Sequence, residues 1–168
     1  MNNPCLSHII VDLDGTLMNL DVNWAQVRKE LEVISVGELW SWPLQKRRCG
    51  WRILDAYESD AASRATLNQS ALAIIKDYGS WSLLTNNGHR VACMVEQMVH
   101  RFSPCRRASV IQSRESLQGP KESFPLFSKA IGNVRAVTGT NHLSYLGDQD
   151  YELSYATRLG LEAIRAAW

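Results

Sequence analysis

The chain has 168 residues, of which 45% are hydrophobic and 21% charged, and its formal net charge is +1. This length holds one domain, or one domain with a small insertion. The near-neutral charge excludes a global pull toward nucleic acid or an anionic membrane, and no apolar run approaches the roughly 18 residues of a membrane span.

In chain order, the start "MNNPCLSHII" lacks the basic residues and long apolar stretch of a signal peptide, so the expected location is cytoplasmic. Cys5, Cys49, Cys93 and Cys105 are scattered and form no C-x-x-C pair, which predicts free thiols and neither disulfides nor a zinc site. The first strand is "SHIIVD", 7–12. The segment 21–65 then carries no strand pattern. It reads as a helix in "WAQVRKELEVI", a break at "SWP", and a long polar helix through "RRCGWRILDAYESDAASR". Trp24, Trp40, Trp42 and Trp51 fall here, as expected of a small helical lobe that needs large side chains for a core. A ligand-facing role for one or two of these rings is the second reading. The basic run "QKRRCGWR", 45–52, reads as a solvated helix face ahead of an anion site.

Beyond it, "SALAIIKDYG" has helical apolar spacing and is predicted to stop at Gly79 as its C-cap. Strands follow at "SWSLLT" (80–85), "ASVIQS" (108–113), "LSYLGD" (143–148) and "LEAIRA" (161–166). Helices are predicted between them in "RVACMVEQMVHRF", "SFPLFSKAIGNV" and "YELSYATRLG", the last ending at Gly160. This alternation predicts an α/β fold with a doubly wound, Rossmann-like, five-stranded parallel sheet. The core is expected to comprise 1–20 and 66–168, with 21–65 as a small helical cap.

The strand ends hold the chemistry. Side chains two apart on a strand share a face, so Asp12 and Asp14 of "VDLDGT" are both expected at the crevice where open α/β sheets bind ligands. Gly15 lets the chain turn away. Two carboxylates so close repel unless a cation compensates. The second strand ends in "LLTNN", offering Thr85 and Asn86, and "SRESLQGPKES" after the third offers Lys121. The fourth ends in "YLGDQDYEL", with Asp148, Asp150 and Glu152. Together these make an oxygen-rich site for a hard metal such as Mg2+, beside groups suited to an anion.

In this order, "DLDGT", "LLTNN", the lysine of "GPKESFP" and "YLGDQDYE" resemble the four motifs of the haloacid dehalogenase-like (HAD) superfamily, and the resemblance covers nearly the whole chain. It implies a Mg2+-dependent phosphatase acting through an aspartyl-phosphate. Asp12 would be the nucleophile. Asp14 would be the general acid and base, with its main-chain carbonyl on the metal. Thr85, Asn86 and Lys121 would hold the phosphoryl oxygens. Asp12, Asp14, Asp148 and Glu152 would surround the metal. Glu152 stands where the family has aspartate, Glu122 where a proline follows the lysine, and Asn19 where many members are acidic.

Singly, Asp150 reads as a turn or helix-cap residue. His8, His89, His100 and His142 read as structural, since none has ligand spacing or a catalytic partner. Asp14 argues against dehalogenation, whose enzymes typically lack that residue. Nothing marks Lys29 or Lys46 as the activated cap lysine of phosphonate cleavage. The alternatives to a phosphatase are a phosphotransferase or phosphomutase, then a non-catalytic binding module. The expected partner is a small-molecule phosphate ester of phosphoglycolate, sugar-phosphate or nucleotide type, with no nucleic acid and no membrane. The tryptophans leave room for a homo-oligomer.

Overall fold

Five parallel strands form one sheet in the order β3-β2-β1-β4-β5: β1 (His8–Val11), β2 (Ser80–Leu84), β3 (Ile111–Gln112), β4 (Leu143–Gly147) and β5 (Glu162–Arg165). The computed structural model describes residues 7–102 and 107–168, so Cys5 and Cys105 lie outside the described residues. Cys49 and Cys93 are free thiols, as expected. Every residue of the central strand β1 is buried, which accounts for its unbroken apolar run, because a parallel strand is covered on both faces. At the edge, β3 is shorter than the 108–113 predicted. The backbone still runs along β2, through Ser109 N–H to Trp81 O (2.8 Å) and Leu83 N–H to Val110 O (2.9 Å).

Among the described residues seven α-helices flank the sheet: α1 (Trp24–Leu31), α2 (Leu44–Arg64), α3 (Gln69–Lys76), α4 (His89–Phe102), α5 (Arg114–Leu117), α6 (Phe124–Thr138) and α7 (Asp150–Arg158). A 3-10 turn spans Val36–Ser41. Local signals start these elements. Asn23 caps α1 through the Gln26 amide, Ser35 and Glu38 close a capping box on the 3-10 turn, and Asn68 caps α3. Gly79 does not cap α3. That helix ends two residues earlier at Asp77, whose right-handed backbone donates to Ile74 O and Ile75 O. Gly160 does stop α7, at φ 76°. Among the described residues no helix is long and apolar enough to cross a membrane.

The sheet separates two apolar clusters. Ile10, Leu84 and Tyr145 meet Phe127 and Ile131 of α6 and Ala156 of α7. Ile9, Val11, Leu83 and Leu146 face the other way, toward α3 and α4. From Leu20 to Ala65 the regular structure is helical, and its Leu39, Leu54 and Ala62 join this second cluster. The segment therefore shares the core's apolar interior. Because all strands run parallel, Asp12, Thr85, Arg114 and Asp148 arrive at the same edge of the sheet.

Candidate active site

β1 ends at Val11, and the chain then turns at once. Leu17 and Met18 amides both donate to Leu13 O (2.8 and 3.1 Å), and the Gly15 amide donates to Met18 O (2.8 Å). Gly15 sits at φ 83°, and a Cβ there would strike the Asp148 carboxylate. This turn, not strand alternation, brings Asp14 to the crevice beside Asp12. Asp14 Oδ1 accepts from the Leu20 amide at 2.7 Å. Burial pushes its carboxyl up to about 6, a value at which a carboxyl exchanges protons readily near neutrality.

Asp12 is 3% exposed. One of its oxygens meets Lys121 Nζ and the other accepts from the Thr16 hydroxyl at 3.3 Å. Lys121 Nζ also meets Glu152 Oε1, and all three side chains are buried. Burial alone would lower the Lys121 pKa, but Asp12 and then Glu152 outweigh it and hold the ammonium charged. Burial first, and the Asp12 charge second, push Glu152 up to about 7. One ammonium between two buried carboxylates leaves a negative charge uncompensated.

The residues assigned to the anion are already ordered. Thr85 Oγ1 donates to Asn87 Oδ1 (2.7 Å) and accepts from the Asn87 amide (3.1 Å). Asn86 Oδ1 accepts from the Lys121 amide (2.9 Å), and its Nδ2 donates to both Glu122 oxygens (3.0 and 3.1 Å). Asn86 thus joins the loop after β2 to the lysine loop. Glu122, in the place of the family's proline, takes part in that joint.

Asp12, Asp148 and Glu152 offer oxygens that all lie within 4.8 Å of one another. Asp148 Oδ1 and Glu152 Oε2 are buried without a hydrogen-bond partner. The Tyr145 hydroxyl neighbours Glu152, whose charge helps raise the phenol's pKa after burial, but the two do not meet hydrogen-bond geometry. Such orphaned carboxylate oxygens are costly when nothing satisfies them. A hard divalent cation would satisfy them, so the donor set fits magnesium. The Asp14 carboxylate is not in this trio. Asp150 is exposed in the first turn of α7 and pairs with Arg165, in keeping with its reading as a helix-end residue.

The site opens into a cavity of about 640 Å³. Asp12, Asp14, Thr85, Asn86, Lys121 and Glu152 all line it. Trp24, Trp40 and Trp51 line it too, although Trp24 and Trp51 also pack against the core, so the two readings of the tryptophans are not exclusive. The basic run keeps to the helix surface, with Lys46 Nζ 4.0 Å above the Trp42 ring and Arg47 donating to Trp40 O at 2.9 Å. Neither Lys29 nor Lys46, nor His89 or Arg90, lines the cavity.

Sequence reasoning missed Arg114, Glu58 and Asp55. Arg114 is 3% exposed. Its Nη1 donates to Glu58 Oε1 (3.0 Å) and Asn86 O (3.4 Å), and its Nη2 to Glu58 Oε2 (3.2 Å) and to Asp55. The only local signal is the spacing of Asp55 and Glu58, three apart on one helix face.

No family model and no curated protein sequence matches the chain. Solved structures do match it. A haloacid dehalogenase-like hydrolase from Streptococcus pneumoniae superposes with a TM-score of 0.64 at 17% identity, over 98% of this chain and 86% of that one. A predicted phosphoglycolate phosphatase from Haemophilus somnus gives 0.62 at 15% identity, over 97% and 85%. A HAD family enzyme from Bacteroides thetaiotaomicron, in complex with magnesium and inorganic phosphate, gives 0.61 at 14% identity, over 95% and 93%. The chain has the fold of the HAD-like hydrolases.

Proposed function

We propose that this protein is a magnesium-dependent phosphatase that hydrolyses a small phosphate monoester through an aspartyl-phosphate on Asp12. The observation that carries the reading is the buried Lys121 ammonium between Asp12 and Glu152, with an unpartnered Asp148 oxygen at the same strand edge. The solved relative that holds magnesium and phosphate supports it.

Asp12, Asp148 and Glu152 would hold the ion, which when bound offsets carboxylate charge and polarises the phosphoryl oxygens. A carboxylate oxygen of Asp12 attacks phosphorus as the bond to the ester oxygen breaks, and Asp14 gives its proton to the departing alkoxide. A water molecule then attacks the same phosphorus and passes a proton to Asp14. The bond from phosphorus to Asp12 breaks, which frees phosphate and restores both side chains. Lys121 stays charged throughout and faces the charge gathering on the phosphoryl oxygens.

The test is phosphate release from a panel of monoesters, with and without magnesium, beside Asp12→Asn. Magnesium-dependent turnover in the wild type, absent in the variant, is the expected result. A folded, magnesium-supplied wild type that releases nothing from any ester would sink the reading.

A further inference from the structure

Beyond the phosphoryl site, the cavity wall changes character. Trp24, Val36, Trp40, Trp51 and Leu54 make one side apolar and largely aromatic. Trp40 and Trp51 fix each other edge to face, with centroids 5.1 Å apart at 73°. Arg47 and Arg114 lie over the Trp51 ring at 5.2 and 5.9 Å, which leaves Trp24 and Trp40 to meet a ligand. The volume of about 640 Å³ is far more than a phosphate with a few-atom alcohol would fill.

The charges point the same way. Among the described residues, the cations on this wall are Lys121 and Arg114. Lys121 belongs to the phosphoryl site. Arg114 is committed to Glu58, Asp55 and Asn86 O, and its remaining Nε is sealed from solvent. Glu58 is locked in turn to Arg114 and the Gly88 amide, and Glu122 is the exposed carboxylate at the cavity. A second carboxylate or phosphate on the substrate would meet Glu122 and no available cation, whereas a flat, uncharged ring would meet indole.

Resting on the phosphatase reading, we infer that the ester's alcohol carries a flat ring system and no second anionic group, as a nucleoside does. This selects among substrates that the catalytic residues alone leave open. Phosphoglycolate and bisphosphates fall to the bottom of the order.

The experiment compares kcat/KM of the wild type, with magnesium, on adenosine monophosphate, ribose 5-phosphate and phosphoglycolate. The first two share the same primary alcohol at phosphorus, so their ratio isolates the ring. Adenosine monophosphate should lead ribose 5-phosphate by about tenfold or more, the scale of base-on-aromatic stacking, with phosphoglycolate last. Trp40→Ala should erode the nucleotide's lead and spare the sugar phosphate. Equal or faster turnover of ribose 5-phosphate or phosphoglycolate would overturn the inference and leave the phosphatase reading intact. If nothing is hydrolysed, titration of tryptophan fluorescence in the magnesium-free wild type separates the two claims. Quenching by adenosine monophosphate and not by ribose 5-phosphate upholds ring recognition without the reaction, and no quenching by either ends both.

Discussion

Glu58 and Arg114 form a buried ion pair, with Oε1 3.0 Å from Nη1 and side chains only 2% and 4% exposed. The other Glu58 oxygen accepts from the Gly88 amide at 3.1 Å, so α2 holds both the loop after β2 and the start of α5 after β3. Arg114→Met would leave Glu58 and Asp55 facing each other without a cation. Removing one partner of a buried pair costs about 3–5 kcal/mol, and urea unfolding should show a loss of that order. Neutralising the carboxylates as well, in Arg114→Met/Asp55→Asn/Glu58→Gln, should recover most of it. A triple variant as unstable as the single one would mean that the arginine acts through packing alone.

Gly15 tests the link between backbone and metal site. Alanine there takes on a left-handed conformation, at about 1–2 kcal/mol, and drives its Cβ into Asp148. Gly139 supplies the control, since its φ is 67° but nothing lies within 4 Å of its virtual Cβ. Gly15→Ala and Gly139→Ala should therefore lower the melting temperature by similar amounts. Magnesium-dependent turnover should collapse only in Gly15→Ala. Equal turnover in the two would remove Asp148 displacement as the cause.

The sheet was legible because β1, β2 and β4 are apolar runs ending in polar residues, a pattern that burial on both faces imposes. Asp12 and Asp148 were legible because parallel strands deliver their carboxyl ends to one edge, whereas Lys121, before α6, and Glu152, in the first turn of α7, were picked out by the resemblance. Arg114 was not, since its carboxylate partners lie 56 and 59 residues away and such pairing leaves no local trace. Gly79 misled because a glycine after a helical pattern suggests a cap, yet Asp77 had already closed the helix. The tryptophans announced burial, but residue type says nothing of which wall a ring faces. Asp14 reached the site by a tight turn where alternation had predicted a strand.

Magnesium should stabilise the fold by binding the native state alone, by about 2.7 kcal/mol at a hundred times its Kd. For a domain of this size that is a rise of several degrees in melting temperature. Asp148→Asn removes an orphaned ligand oxygen and should abolish the rise. Asp150→Asn should keep it, because that carboxylate is exposed and paired with Arg165. The reverse outcome would hand the metal to Asp150.

Away from the site, His8 makes the fold sensitive to acid. The ring is 1% exposed, between the Ser80 hydroxyl (2.6 Å) and the Ser82 hydroxyl (2.8 Å) on neighbouring β2. A neutral imidazole can donate to one hydroxyl and accept from the other, whereas the protonated ring loses its acceptor. Burial lowers its pKa from 6.5 to about 4. The folded value lies below the unfolded one, so this stabilisation is fully present above pH 6.5 and is lost as pH falls toward 4. The gap corresponds to at most about 3 kcal/mol. His8→Gln keeps a donor and an acceptor but cannot titrate. Urea unfolding at neutral pH and near pH 4.5 should show the wild type losing more stability than the variant. Equal losses would mean that local opening lets the ring take up its proton without unfolding the domain, which would place the β1–β2 pairing at His8 and Ser80 among the weaker joints of the sheet.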